Sequence, residues 1–339
     1  MPHLPSPAMT GPAMLPPRSL QALDRCQKQF PLSATPFADM AALLGDGWTA
    51  SELMQLLFTA RQAGLLSRLG AVFAPNTVGS STLAALAVPP ERLDAVAAFV
   101  SSHVEVNHNY QRDHHFNLWF VVTASDAAAV AEVLSRIHLA TGLAPLNLPL
   151  LREYHIDLGF ALDGSVAARQ PQQQPGRIHP DWRQQRLLAA LRDGLPLQLR
   201  PFQLLARDCG LTEPEVLQQL QAWQAQGVLR RFGAVLRHAE LGYRHNAMCV
   251  WQIDDAACRA AIACQLATEP AVTLCYERPA RPPHWPYQLF CMIHASDAVS
   301  LQAMLDDLVC RHGLQDFPHA VLPSIKRYTQ RGACYGHHA

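Results

Sequence analysis

The stretch "PFQLLARDCGLTEPEVLQQLQAWQAQGVLRRFGAVL", residues 201–236, changes its apolar period partway along, and that change decides the fold. The residues before Gly210 read as a short helix and Gly210 as a turn. Val216, Leu217, Leu220 and Trp223 then recur at helical spacing on one face of a second helix, which Gly227 stops. The apolar run that follows predicts a β-hairpin, and helix, turn, helix and hairpin together make a winged helix-turn-helix.

Downstream, "HNAMCVWQI" alternates as a strand and "DAACRAAIACQLATE" reads as a helix. Residues 272–278 and 287–294 read as strands, 297–312 as a helix and 316–328 as a last strand. The order βαββαβ is the ferredoxin-like plan. It occurs twice. "GLLSRLGAVF" (64–73) aligns with "GVLRRFGAVL" (227–236), "NYQRD" (109–113) with "CYERP" (275–279), "NLWFVVTASDA" (117–127) with "QLFCMIHASDA" (288–298), and "LPLLREYHIDLG" (148–159) with "LPSIKRYTQRG" (322–332). The expected class is α+β, a duplicated winged helix-turn-helix plus ferredoxin-like domain. A Pro-rich disordered tail is expected over 1–35, winged helices over 36–78 and 181–240, ferredoxin-like domains over 79–162 and 241–335, and a Pro/Gln-rich linker over 163–180.

Composition narrows the function classes. The 339 residues are 49% hydrophobic and 16% charged, with 27 basic and 27 acidic side chains, so no global field draws the chain to nucleic acid or to anionic membrane. No apolar run nears the roughly 18 residues that a membrane span needs. Nine cysteines without a CxxC or finger-like spacing argue against a resident metal and for reduced thiols, which places the chain in the cytoplasm. DNA binding is disfavoured too. The recognition-helix segment "TEPEVLQQLQAWQAQ" carries no Lys or Arg and its counterpart "TASELMQLLFTARQA" only Arg61, which leaves little to hold phosphates.

The chemistry-bearing residues concentrate in "VNHNYQRDHHFNLWFV", residues 106–121. Period-2 alternation sets His108, Tyr110, Arg112 and His114 on one face, with His115 across a turn from His114. In the second half Tyr276 and Arg278 repeat Tyr110 and Arg112, and a proline-stiffened insertion adds Arg281, His284 and Trp285. Such a face is either a solvated sheet surface or a ligand site.

The architecture resembles that of Lrp/AsnC proteins, in which two βαββαβ domains pair across their sheets, so the fused duplicate looks like a covalent pseudodimer. "HNYQRDHHFNLWF" and "CYERP…WPYQLFCMIHA", each behind "SRLGAVF" or "RRFGAVL", more specifically resemble the two subunits of siroheme decarboxylases over roughly residues 36–335. That resemblance implies loss of the C12 and C18 acetate carboxylates of siroheme, in heme d1 or alternative heme biosynthesis. It implies no cofactor beyond the iron of the substrate, and leaves further homodimerisation open. Siroheme bears eight carboxylates, so Arg112, Arg278 and Arg281, then Arg152, Lys326 and Arg327, with Trp285, are the expected binding residues. The carbanion left by departing CO2 needs a proton donor. His108, His114, His115 and His284 are the candidates, with Tyr110 and Tyr276 behind them, and a neutral imidazole among them could instead ligate the siroheme iron. The runners-up are an Lrp/AsnC-type DNA-binding regulator and a heme or siroheme sensor or carrier.

Overall fold

A computed structural model describes residues 15–156, 175–237, 240, 242 and 245–335. The first half opens with α1 (Pro17–Lys28), α2 (Pro36–Leu44) and α3 (Ala50–Gln62), followed by β1 (Leu66–Phe73). The ferredoxin-like part is β2 (Ser80–Leu86), α4 (Leu93–Ser102), β3 (Val106–Arg112), β4 (Leu118–Ala124) and α5 (Ala127–Thr141), closed by β5 (Leu146–Pro149) and β6 (Arg152–Ile156). The second half repeats this as α6 (Trp182–Ala190), α7 (Pro201–Cys209), α8 (Glu213–Ala225), β7 (Leu229–Leu236), β8 (His245–Trp251), α9 (Ala256–Leu266), β9 (Val272–Glu277), β10 (Leu289–Ala295), α10 (Ala298–Arg311) and β11 (His319–Gln330). The duplication reaches the caps. Thr49 with Glu52 and Thr212 with Glu215 form reciprocal capping boxes at the starts of α3 and α8, where the local sequence competes for the free helix N–H groups.

Two expectations need correction. The segment 1–35 is not all tail: Pro17 begins α1, where a missing N–H costs nothing, and the helix buries Ala22, Leu23 and Cys26. The expected linker 163–180 lies mostly outside the described residues, and 175–180 has no regular structure. Nor does either half form its own wing hairpin among the described residues. β1 pairs antiparallel with β7, with Gly70 opposite Gly233, so each half supplies the other's second wing strand. Leu66, Leu69, Leu229 and Phe232 from this ribbon join Leu53, Leu57, Val216 and Trp223 in a single core that fuses both helical units. Burial explains the choice, since a single amphipathic strand per half covers its apolar face most completely at the pseudo-twofold axis.

The remaining strands order as β5-β2-β4-β3-β11-β8-β10-β9-β6. The last strand of each half divides its pairing between the two sheets. β5 pairs with β2 and the adjoining β6 with β9; β11 pairs with β8 through Pro323 and with β3 from Ser324 onward. Pro149 and Pro323 stand at the two changeovers, where a residue without an N–H ends pairing with one neighbour. The sheets face each other over an apolar core holding Trp119, Trp285, Phe290, Tyr276, Met248 and Met292.

Candidate active site

β3 runs from the helical units into the inter-sheet core, and its pleat separates two environments. Asn109 turns to the helix layer, where its Nδ2 donates to the Ala97 carbonyl (3.1 Å) and to Ser101 Oγ (3.0 Å). His108, Tyr110 and Arg112 take the opposite face, as alternation requires.

His108 lines a cavity between the β1/β7 ribbon and the sheet. It encloses about 220 Å³, and about 970 Å³ with its open mouth included. Four arginines line it, Arg68, Arg192, Arg231 and Arg331, with Tyr335 and no carboxylate. They come from distant segments: Arg68 and Arg231 from paired ribbon strands, Arg192 from the turn after α6, Arg331 and Tyr335 from the chain beyond β11. Gly332 makes this convergence possible, because a Cβ there would collide with the Arg192 carbonyl.

The electrostatics are those of an anion site. Arg68 Nη2 donates only to the Ala71 carbonyl (3.3 Å), and it has no ion pair among the described residues; burial pulls its pKa down. Arg331 is held by the carbonyls of Val106 (2.8 Å) and Ser101 (3.0 Å). Burial first, and the Arg68 charge second, push His108 down to about 4, so its imidazole is neutral at pH 7. Tyr110 stacks at 6.3 Å from His108, and burial raises its pKa against the pull of Arg327, Arg112 and Arg237. Tyr335 is pushed up to about 12 by burial and remains a hydrogen-bond donor.

The other expected site residues lie elsewhere. Arg112 and Arg278 are pseudo-twofold mates that clamp the exchanged strands: Arg112 Nη1 donates to the Leu322 carbonyl (2.8 Å) and Arg278 Nη1 to that of Leu148. Both carbonyls immediately precede the changeover prolines. Tyr276 stacks on Phe290 at 5.5 Å within the core, and Arg278 lies 4.6 Å over the Tyr276 ring. Trp285 is fully buried 5.0 Å from Trp119, so the proline-rich insertion sends its indole into the inter-sheet core. His114 sits beside that indole, 5.6 Å from Trp285, with Nδ1 accepting from the Phe116 N–H; burial lowers its pKa. His115 and His284 are exposed at the same end, and Arg281 there donates to the Asn147 carbonyl. Arg152 lies over Tyr154, Lys326 pairs with Asp94 and Arg327 with Glu240, all three exposed. Of the thirteen, the cavity takes His108 in its lining and Tyr110 beside it. Arg68 and Arg231 were within reach of sequence reasoning, since they occupy equal positions in "SRLGAVF" and "RRFGAVL"; Arg192, Arg331 and Tyr335 carried no such signal.

Comparison with known proteins gives three kinds of match. The AsnC-like ligand-binding domain matches residues 78–155 and 240–329, and the siroheme decarboxylase NirDL-like HTH domain matches 184–230. The siroheme decarboxylase NirDL subunit of Paracoccus denitrificans is 44% identical over 93% of this chain and 96% of its own. The siroheme decarboxylase NirD subunit of Pseudomonas aeruginosa is 48% identical, covering 43% of this chain and 97% of its own length, so one half of this chain corresponds to a separate subunit there. A crystal structure of the siroheme decarboxylase NirDL with an iron-uroporphyrin III analogue superposes with a TM-score of 0.66 at 23% identity, covering 94% of both chains.

Proposed function

The chain belongs to the siroheme decarboxylase family, and from that premise we propose that its reaction takes place in the cavity around His108. It removes the C12 and C18 acetate carboxylates of siroheme as CO2, giving 12,18-didecarboxysiroheme for heme d1 or alternative heme synthesis. The observation that carries the site is a cavity lined by four arginines and no carboxylate, one of them the half-buried Arg68, which has no ion pair among the described residues. A polycarboxylate tetrapyrrole brings counter-charges to this lining, and guanidinium forks match carboxylates pairwise. Burial strengthens each such pair by excluding water.

The step is a carboxy-lyase reaction. The bond between the acetate methylene and its carboxyl carbon breaks, CO2 departs, and the electron pair stays on the methylene carbon. A proton from the enzyme converts that carbon to methyl. His108 is the proposed donor. It takes up its proton from solvent as the substrate binds: burial and the Arg68 charge depress its pKa in the free protein, and carboxylates entering beside it reverse the local sign of charge. Tyr110 and Tyr335, both held protonated, orient the incoming groups. The reaction takes no cofactor beyond the iron that siroheme brings. The relatives' designation as subunits supports assembly with further copies or related chains, and the cysteine usage supports a cytoplasmic setting.

Anaerobic incubation with siroheme, followed by mass spectrometry of the extracted tetrapyrrole, tests this reading. Loss of two CO2 is expected from the wild type and unchanged siroheme from His108→Gln. Full turnover by the variant would remove His108 from the mechanism, and intact siroheme with the wild type would leave a binding protein.

A further inference from the structure

Gln330 pairs with His108 across the sheet, and the next residue, Arg331, sends its side chain to the end of α4. The last carbonyls of a helix have no partner within it and carry the negative end of its dipole, so a guanidinium caps them well. Arg331 Nε donates to the Val106 carbonyl (2.8 Å) and Nη2 to the carbonyls of Ser101 (3.0 Å) and His103, while its backbone N–H donates to the Asn107 carbonyl (2.9 Å). Those three carbonyls are the only side-chain partners of Arg331 among the described residues, which leaves Nη1 for the cavity that the side chain lines. We propose that Arg331 is the specificity-determining residue of this site, an anchor aimed in advance at one substrate carboxylate beside His108, and that Asn109 is its positioning residue, acting through the last turn of α4 without touching substrate; this rests on the reading of the cavity given above.

Asn109 is fully buried on the helix side of β3, and its Oδ1 has no partner among the described residues. A buried amide is costly there unless its hydrogen bonds serve the structure. Its Nδ2 binds the Ala97 carbonyl and Ser101 Oγ, two points one turn apart on α4, and Ser101 is also the residue whose carbonyl holds Arg331. The repeat separates the two bonds. Cys275 stands in place of Asn109 and donates through Sγ to the Ala263 carbonyl (3.6 Å), the counterpart of the Ala97 bond. Ala267 stands in place of Ser101, and a methyl group cannot accept the second bond. Docking a helix on this strand therefore needs only the first, and the Asn109–Ser101 link is added in the half where Arg331 arrives.

The anchor is short of counter-charge. Burial first, and the Arg192 charge second, lower the Arg331 pKa, with Cys334, Glu105 and Asp193 opposing them. Because three carbonyls already order the side chain, binding a carboxylate costs it little rotamer freedom. Siroheme carries eight carboxylates around one ring, so the ring can enter in many rotational settings. A donor fixed beside His108 favours the setting that brings a carboxylate onto Nη1, and thereby decides which acetate arm meets the imidazole.

Anaerobic kinetics of the full chain with siroheme test this. Arg331→Gln should lower kcat/KM about tenfold to a hundredfold, the worth of one charge-assisted hydrogen bond, and should change the ratio of the two singly decarboxylated isomers resolved by chromatography. Wild-type values of both would overturn the anchor while leaving the decarboxylase reading intact; siroheme left whole by the wild type would sink both. Asn109→Cys, the residue that the second half uses, keeps a donor for the Ala97 carbonyl and should lower kcat/KM about threefold to tenfold, the loss appearing in KM. Ser101→Ala should do the same, and wild-type kinetics there would break the link. Added to Arg331→Gln, Asn109→Cys should cost nothing further, because its effect passes through that guanidinium. A further loss as large as that of Asn109→Cys alone would make Asn109 a structural residue and refute its positioning role.

Discussion

Replacing Arg68 by glutamine should raise the His108 pKa without restoring an ordinary histidine. His108 lies at about 4 against 6.5 for a free imidazole, a displacement worth about 3 kcal/mol between its two protonation states. Burial is the larger cause and the Arg68 charge the smaller, so removing the guanidinium returns less than half of the difference. The variant should therefore titrate between about 4 and about 5. The linkage has a definite sign. The unfolded chain binds a proton at His108 near 6.5 and the folded chain only near 4, so this histidine lowers stability as pH falls from 6.5 to 4, and Arg68→Gln narrows that window from below. Long-range proton–nitrogen correlation spectra of protein labelled at its imidazole nitrogens, with His108→Gln to assign the resonance, give both values directly. An unchanged pKa in the variant would mean that the Arg68 charge does not act on His108. A wild-type value near 6.5 would mean that the cavity does not desolvate it, and the proton-delivery argument would fall with it.

Siroheme binding should take up a proton, because His108 is neutral in the free protein and charged in the complex. Affinity should then decline as pH rises above about 4 toward the pKa in the complex, with uptake measured by calorimetry in buffers of different ionisation enthalpy and abolished in His108→Leu. Arg231→Gln should weaken siroheme binding about tenfold to a hundredfold, the worth of one charge-assisted hydrogen bond, in an absorbance titration; unchanged affinity would take Arg231 out of the site. His114→Ala with His284→Ala should keep turnover within about threefold, since neither lines the cavity, and a larger loss would restore the Trp285 end as a catalytic region. Trp285→Ala should cost about 3–5 kcal/mol in denaturant unfolding, because the indole fills the inter-sheet core. An affinity loss without that destabilisation would return Trp285 to the ligand.

Much of this molecule is legible one strand at a time, and the site is what escapes that reading. Alternation puts His108, Tyr110 and Arg112 on one face, and they share it. Yet a strand advances about 3.3 Å per residue, so four residues carry the chain from the cavity at His108 into the inter-sheet core at Arg112. Side chains of one face thereby acquire different surroundings, His108 lining the cavity and Arg112 donating to the Leu322 carbonyl. Pairing of β1 with β7 and the changeovers at Pro149 and Pro323 join segments more than a hundred residues apart, and no local periodicity encodes which strand a strand will meet. The proline-rich start misled for a related reason, since Pro17 at a helix N-terminus is as favourable as proline in a coil.

Fusion lets the two halves of a duplicated sequence diverge. In a symmetric pair of identical subunits every substitution appears twice, so a histidine facing the axis region on one side must face it on the other. One covalent chain removes that constraint. Arg68 and Arg231, on paired strands beside the axis, both line the His108 cavity and have stayed alike. Elsewhere His108 and Leu274, Arg192 and Gln27, Ser67 and Arg230 have separated, and the buried Arg230–Glu153 pair ties β7 to β6. The divergence follows the geometry: the arginines that reach the cavity from both halves beside the axis are matched, whereas Arg230, freed from its mate Ser67's position in the cavity lining, holds two strands together.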